Sequence, residues 1–235
     1  MAKQKEYRER IHFDNYTESY NKILSDQLNF FDNNDEYFSE YKIRILKKYV
    51  DILPNKILEF GCGVGRNLKY LHQYFQHSEI YGCDISKKSI ELAQKSHPSM
   101  KFFLLGEDSI KEEFDMVFIA LVFHHIRQDL HNEILNDINK MLSKNGNLFI
   151  FEHNPFNPIT RYLVNTCPFD TDAVLITKRS LEKLLEQSGF RVECGRYTLY
   201  FPAFMKIFRV IEPLLGFIPL GGQYFVKAVK GYQNY

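Results

Sequence analysis

The stretch Lys56-Ile-Leu-Glu-Phe-Gly-Cys-Gly-Val-Gly-Arg-Asn67 passes from a short apolar run into three glycines at alternate positions. The apolar run is typical of a fully buried parallel strand, which is predicted to end where the glycines begin. Glycine tolerates positive φ and lets a ligand lie against bare backbone. An amphipathic stretch that starts at Leu68 predicts a helix whose N-terminus points at that ligand. Together the strand, turn and helix predict a nucleotide-binding loop.

The spacing of the glycines distinguishes between nucleotides. In the dinucleotide fingerprint G-x-G-x-x-G the sixth position is glycine, but here it is Arg66 and the third glycine is Gly65. The spacing that fits is acid-x-G-x-G-x-G, with Glu59 two residues before Gly61. This resembles motif I of the class I S-adenosylmethionine-dependent methyltransferases. An acid suits the ammonium and the cationic sulfur of that cofactor, whereas it would repel a pyrophosphate.

The resemblance implies that this loop binds S-adenosylmethionine. The alternative is a glycine-rich turn that binds no ligand. The loop residues expected to contact the cofactor are Glu59, Gly61, Cys62, Gly63 and Gly65.

Length and composition predict the domain organisation. The chain has 235 residues, of which 45% are apolar and 25% charged, enough for one α/β domain plus a covering element. We expect residues 1–50 to form an N-terminal helical lid and residues 51–235 to form the methyltransferase domain, with insertions at 153–176 and 198–222. The whole chain is expected to be one structural domain.

The predicted strands and helices alternate five times, which predicts a doubly wound parallel sheet with ligands at the carboxyl ends of its strands. The fifth strand is predicted over residues 147–152, after a helix closed by Asn145-Gly146. A helix, a strand, an insertion and a last strand follow over residues 177–229, in agreement with the terminal antiparallel hairpin of the methyltransferase family. We therefore expect an α/β, Rossmann-like, mainly parallel seven-stranded sheet with a C-terminal antiparallel hairpin and an apolar helical insertion.

Charge and cysteine spacing limit the partners and the cellular location. The net charge of +1 and the interspersed signs give no basic patch, so no nucleic acid is expected to bind. The four cysteines form no C-x-x-C pair and have no histidines at zinc-site spacing, so we expect reduced thiols and no metal. With no apolar core of a signal peptide and no run of 18 apolar residues, the sequence indicates a cytoplasmic or membrane-peripheral protein.

The second predicted strand ends in Asp84, nineteen residues after Gly65. A carboxylate at this place can accept both ribose hydroxyl hydrogens of a bound nucleoside. Asp84 is therefore predicted to bind the cofactor, with Ile85 beside it. The alternative is that Asp84 caps the helix that follows, a role that Ser86 can take instead.

Further cofactor contacts are implied by the resemblance alone. An aromatic segment near the amino terminus matches a cofactor lid of the family at Tyr16 and Tyr20. The loop after the third strand matches the adenine contact at Asp108, with Ser109 next to it, and the end of the fourth strand matches the methionine-amine contact near Ala120. The alternatives are that the tyrosines belong to the core and that Asp108 closes a surface turn.

Histidines follow the fourth and fifth predicted strands, at the mouth of the expected site. His153 opens a proline-containing loop, and because its ordinary pKa lies near neutral pH it is a candidate general base toward an acceptor hydroxyl. Asp170 or Asp172 is a candidate to orient His153 or to bind substrate hydroxyls. His124 is a second catalytic candidate, whereas His125 matches a family position that is mainly structural and is placed with the cofactor-binding residues. The alternative for His153 is a cap for backbone groups.

Residues 199–220 are very apolar, interrupted only by Lys206, Arg209 and Glu212. The three-residue spacing of these charges predicts one polar face. The apolar remainder is expected to roof the active site, form a homodimer interface or contact a membrane surface.

The sequence therefore predicts an S-adenosylmethionine-dependent methyltransferase that acts on an oxygen of a small-molecule or lipid- or sugar-linked acceptor. Two alternatives stay open. One is an NAD-linked oxidoreductase on the same sheet. The other is a non-catalytic nucleoside-binding module that acts through its apolar C-terminal segment.

Overall fold

The computed structural model describes residues 36–231, so the predicted lid residues Tyr16 and Tyr20 lie outside the described range. The strands are β1 Lys56–Phe60, β2 Glu79–Asp84, β3 Lys101–Leu104, β4 Phe114–Ala120, β5 Leu142–His153, β6 Phe190–Thr198 and β7 Gln223–Lys230. The α-helices are α1 Glu36–Tyr49, α2 Leu68–Tyr74, α3 Lys87–Ser96, α4 His131–Met141, α5 Pro158–Thr166, α6 Lys178–Gln187 and α7 Glu212–Leu215. Short 3₁₀ segments lie at Phe123–His125, Gln128–Leu130 and Ala203–Ile211.

The seven strands form one sheet in the order β3-β2-β1-β4-β5-β7-β6. Neighbouring strands from β3 to β5 are parallel, whereas β7 is antiparallel to both β5 and β6. The predicted mainly parallel, doubly wound sheet with an antiparallel C-terminal hairpin is confirmed. The strand order reverses between β1 and β4, and in such sheets ligands bind at the carboxyl ends beside that reversal.

Hydrophobic cores cover both faces of the sheet. Successive strand residues point to opposite faces. Leu58 and Phe60 pack with α4 and α6, whereas Ile57 packs with α1 and α2 on the other face. Both faces of the central strands are therefore buried, which explains why these strands are continuous apolar runs in the sequence.

β5 begins at Leu142, five residues before the predicted start of the fifth strand. Leu142 pairs with Phe114 and Asn147 pairs with Met116, so the register shifts between these two pairs. Asn145 has φ +63° within the shifted segment. The turn predicted at Asn145-Gly146 is therefore a bulge inside the strand, because the chain resumes pairing with β4 on both sides of it.

The four cysteines are free thiols, as expected. Within residues 36–231, the helices are all too short or too polar to cross a membrane.

Candidate active site

The glycine loop follows the carboxyl end of β1 and is hydrogen-bonded to the carboxyl end of β2. The backbone N–H groups of Gly61 and Cys62 both donate to the Cys83 carbonyl, at 2.8 and 3.0 Å. Gly61 and Gly63 have φ +75° and +52°. A Cβ at Gly61 would lie 2.5 Å from Val122 Cγ2, but one at Gly63 would meet nothing within 4 Å. The loop thus presents bare backbone to open space at Gly63, as a ligand cradle requires.

Asp84 lies at the tip of β2, against this loop. Its Oδ2 accepts a hydrogen bond from the Gly63 N–H at 2.8 Å, and its Oδ1 accepts one from the Ser86 N–H at 2.9 Å. Ser86 itself caps α3, because its Oγ accepts from the Ser89 N–H at 3.1 Å. The structure therefore brings the two predicted elements together, a carboxylate and an open glycine backbone.

Glu59 is buried beneath the loop, at 1% exposure. Its Oε1 accepts a hydrogen bond from Asn67 Nδ2 at 2.6 Å, but its buried Oε2 has no hydrogen-bond partner within residues 36–231. Burial raises the pKa of Glu59 to about 8. Lys42 on α1 is also buried, its Nζ donates to the Phe38 carbonyl, and burial lowers the pKa of Lys42 to about 8.

Within the described residues Oε2 of Glu59 lacks a hydrogen-bond donor, and leaving a buried carboxylate oxygen unpaired costs free energy. The ammonium of S-adenosylmethionine is such a donor and would favour the ionised form of Glu59. Together with the Asp84 carboxylate at the tip of β2 and the open backbone of Gly63, the residues present fit the expected cofactor.

The remaining predicted cofactor contacts surround the same edge of the sheet. Ala120 ends β4, and Ile85 and Ala120 are half-buried. Asp108 and Ser109 are exposed, and Asp108 Oδ2 accepts a hydrogen bond from the Leu104 N–H at 2.6 Å. Asp108 thus closes its own turn, which was the alternative interpretation, and its contact with adenine stays a prediction.

Glu152 organises the segment that follows β4. This carboxylate is fully buried near the end of β5, and its Oε1 accepts from the backbone N–H groups of Val122 and Phe123, at 3.0 and 2.7 Å. Its Oε2 lies 2.6 Å from Nδ1 of His124. One side chain therefore fixes both the backbone and the imidazole of the loop after β4.

Asp170, from the loop after α5, lies on the other side of the histidine pair. Its Oδ1 is 3.7 Å from Nε2 of His124 and 3.2 Å from Nε2 of His125. The ring centroid of His153 lies 5.1 Å from that of His124. The three residues predicted as catalytic, His153, His124 and Asp170, are thus brought together by three separate segments.

The charges of this cluster hold its histidines in different protonation states. Burial disfavours the charged form of His124, but Glu152 and Asp170 outweigh burial and raise the pKa of His124 to about 10. Burial and the neighbouring positive charge of His124 lower the pKa of His153 to about 4 and also lower that of His125. At neutral pH His124 is therefore an imidazolium, whereas His153 is neutral.

A row of polar side chains crosses the sheet beside His153. Gln223 in β7 is paired with His153 in β5 and with Thr198 in β6. Directly paired residues point to the same face. Gln223 Oε1 and Thr198 Oγ1 are buried and make no hydrogen bond to any residue of the described chain. Two buried polar atoms without a partner in the described residues therefore belong to the same row as His153.

Several of these residues were missed from the sequence. Glu152 had a usable signal, because it ends an apolar strand as Asp84 does. Lys42 and Asn67 had none, since a single lysine in an amphipathic helix usually faces solvent. Gln223 and Thr198 become neighbours of His153 only through pairing of distant strands.

Comparisons with known proteins agree with this geometry. A family model described as a methyltransferase domain matches residues 31–194, well over half of the chain. Demethylmenaquinone methyltransferase of Thermotoga maritima is 26% identical over 151 residues, which are 62% of this chain and 61% of that protein. Malonyl-[acyl-carrier protein] O-methyltransferase of Halalkalibacterium halodurans is 29% identical over 118 residues, which are 46% of this chain and 42% of that protein. The chain thus spans less than two thirds of the length of these relatives.

Among solved structures, a SAM dependent methyltransferase from Archaeoglobus fulgidus is similar in fold. The TM-score is 0.67 at 18% identity, and the match covers 90% of this chain and 99% of that chain. At this level of identity the likeness supports the Rossmann-like sheet alone, and the family model shows the family.

Proposed function

This chain belongs to the methyltransferase-domain family and uses S-adenosylmethionine, and we propose that it methylates an oxygen of a small-molecule or lipid- or sugar-linked acceptor. The proposal of an oxygen acceptor rests on His153, which is neutral and lies on the same sheet edge as Asp84. His153 also lies beside the buried polar atoms of Gln223 and Thr198. A hydroxyl acceptor must lose its proton as the new bond forms, and this edge offers a group that can take it.

We propose roles for the cofactor-binding residues on the same basis. Asp84 accepts the ribose hydroxyls, Glu59 pairs with the ammonium, and the backbone from Gly61 to Gly65 lies against the ligand. Bound S-adenosylmethionine supplies an already activated sulfonium methyl group. The task of the chain is then to hold the acceptor in line and exclude water.

Residues around this core complete the proposed cofactor site. Cys62 belongs to the glycine loop, and Ile85 lies next to the ribose carboxylate. His125 holds Asp170, which fits the mainly structural role predicted for it. The proposed contacts at the adenine, methionine and lid ends of the cofactor are those of Asp108, Ser109, Ala120, Tyr16 and Tyr20.

The histidine cluster has a division of roles in this proposal. His153 accepts the acceptor proton because it is the neutral member, whereas the charged His124 cannot. His124 and Asp170 act as positioning residues that set the place and the protonation state of His153. Glu152 accepts from Nδ1 of His124 and so orients the ring with Nε2 toward Asp170.

We predict that His153→Asn lowers the methyl-transfer rate by about 100-fold or more, because a general base contributes on the order of 10²- to 10⁴-fold. The rate is measured as incorporation from radiolabelled S-adenosylmethionine into lipid and small-molecule extracts. S-adenosylhomocysteine binding should be unchanged, since His153 is not a proposed cofactor contact.

The matched control is His72→Asn, at an exposed histidine of α2, which should retain the full rate. A His153→Asn variant as fast as the wild type would remove the base from the proposal. If no extract accepts a methyl group from the intact protein, the non-catalytic nucleoside-binding module becomes the better interpretation.

His124, His125 and Asp170 offer atoms within 4.8 Å of one another that could hold a metal ion. We nevertheless predict that treatment with EDTA leaves the transfer rate unchanged, because a sulfonium methyl group needs no Lewis acid and Asp170 already pairs with the two histidines. The measurement is the rate before and after chelation and dialysis. A loss that Zn²⁺, Mn²⁺ or Mg²⁺ restores would instead assign a metal to this cluster.

The class of acceptor is supported by two of the relatives. One is named for demethylmenaquinone and the other for a malonyl group on acyl-carrier protein, and the second is an O-methyltransferase. The second name describes an acceptor attached to a larger carrier, the acyl-carrier protein. We extend to this chain the feature of an acceptor attached to a carrier, but not either of these two acceptors.

A further inference from the structure

Residues 203–220 present a large apolar surface to the outside. Six apolar side chains of this segment are between 65% and 80% exposed. They recur every three or four residues, the spacing of one helical face. They are Phe204, Ile207, Val210, Leu214, Phe217 and Leu220.

A second segment extends this surface. On and just before α5, three more large side chains are exposed, namely Phe156, Ile159 and Tyr162. Asn157 Nδ2 donates to the Leu220 carbonyl at 2.7 Å, and Asn154 Nδ2 donates to the Gly221 carbonyl at 2.7 Å. The two segments therefore lie side by side, and we call these nine side chains the apolar face.

The inward side of the segment is fixed by a buried acid. Glu212 is only 4% exposed and accepts hydrogen bonds from Tyr41 Oη at 2.6 Å and from the backbone N–H groups of Tyr200 and Phe201, at 3.0 and 3.1 Å. A carboxylate stays buried only when such donors satisfy it. The segment therefore turns its acid toward α1 and its apolar side chains outward.

The exposed charges within the two segments that carry the apolar face have one sign. Within residues 155–166 and 199–222, the exposed charged residues are Arg161 and Lys206, since Glu212 is buried and Arg209 is half-buried. Exposed aromatic and aliphatic side chains accompanied by basic ones match the interface of a bilayer that contains anionic lipids. A self-complementary dimer contact would instead bring the same cations together with no exposed acid of these segments to pair them.

We propose that the apolar face docks on a membrane surface, with Arg161 and Lys206 against lipid phosphate groups. Asn154, which holds the two segments together, directly follows His153 at the tip of β5. The face therefore borders the catalytic edge of the sheet. This deepens the proposed function, because a lipid-attached head group could reach His153 while its tail stays in the bilayer.

The test is sedimentation of the full chain with vesicles of phosphatidylcholine alone or mixed with phosphatidylglycerol. We expect binding to the mixed vesicles that weakens as salt is added, and far weaker binding to the neutral ones. Replacing Arg161 and Lys206 together with alanine should weaken binding to mixed vesicles roughly 25-fold, about fivefold for each cation.

A second variant removes apolar contacts. Ile207→Ser with Val210→Ser should weaken vesicle binding by at least about tenfold. Its matched control is Ile52→Ser with Leu53→Ser, because these side chains are also exposed but lie just before β1, at the opposite edge of the sheet. The control should bind vesicles as the wild type does, and S-adenosylhomocysteine binding by each variant verifies its fold.

A chain that stays in the supernatant with both kinds of vesicle overturns the proposal. So does a variant of Ile207 and Val210 that binds mixed vesicles as tightly as the wild type does. A concentration-dependent dimer that this variant abolishes, with no vesicle binding, would assign the face to a second copy of the chain. Vesicle binding is measured without cofactor or acceptor, so its failure leaves the proposed methyl transfer intact.

Discussion

Replacing Asp84 with alanine is expected to weaken S-adenosylhomocysteine binding by about 100-fold or more in isothermal titration. The carboxylate is the only proposed acceptor for both ribose hydroxyls, and hydrogen bonds to a charged group contribute about 1.5–3 kcal/mol each. The same change removes the acceptor for the Gly63 N–H at 2.8 Å, so the loop also loses its attachment to β2. Asp84→Asn keeps one acceptor oxygen and should lose roughly tenfold.

The control is Asp137→Ala, which removes a half-buried carboxylate of α4 that pairs with Lys140 at 2.9 Å. That variant should bind S-adenosylhomocysteine normally. Wild-type affinity in Asp84→Ala would mean that the cofactor lies elsewhere. In that case the open glycine backbone would have no assigned ligand.

Replacing Glu152 with alanine is expected to lower the free energy of unfolding by about 3–5 kcal/mol, because it leaves a buried charge without its partner. The variant leaves the N–H groups of Val122 and Phe123, and Nδ1 of His124, without their hydrogen-bond acceptor. Urea unfolding measures the loss. Glu186→Ala, at an exposed position of α6, should change the free energy of unfolding by less than about 0.5 kcal/mol.

The same ion pair predicts how stability depends on pH. The pKa of His124 is raised from 6.5 to about 10, so the stability it contributes is fully present below pH 6.5 and is lost as the pH rises through 10. Burial opposes ionisation of Glu152 and Asp170, but His124 outweighs it and lowers both pKa values. Their contribution is therefore present above their ordinary pKa values, near 4, and is lost as the pH falls further.

Unfolding free energies near pH 6 and near pH 10 test this reasoning. The wild type should lose stability between the two, and Glu152→Ala should lose less because the pKa of its His124 is no longer held high by the carboxylate. An equal decline in both proteins would show that His124 is neutral in the folded state.

Short-range patterns made the fold and the arrangement of the glycine loop predictable. The glycine spacing and the acids at Glu59 and Asp84 lie within a few residues of the strand ends they belong to, and the structure brings them together. Apolar runs predicted the strands because both faces of the sheet are buried. The start of β5 was predicted five residues late, because Asn145 usually marks an end and here sits in a bulge.

The acceptor side could be predicted only in part, because its contacts join distant segments. His153, His124 and Asp170 were named singly, but what sets their charges is Glu152, and that pairing depends on the register of β4 and β5. The direction of the apolar face likewise depends on Tyr41 and Glu212, which are 171 residues apart. No local pattern carries such information.

The position of β7 has a consequence for synthesis of the chain. It follows β6 in the chain, yet it lies between β5 and β6 in the sheet. Until residues 223–230 leave the ribosome, β5 has an open edge and β6 lacks β7, the strand with which it pairs. The nascent chain therefore carries unpaired edges on β5 and β6 until β7 has been made.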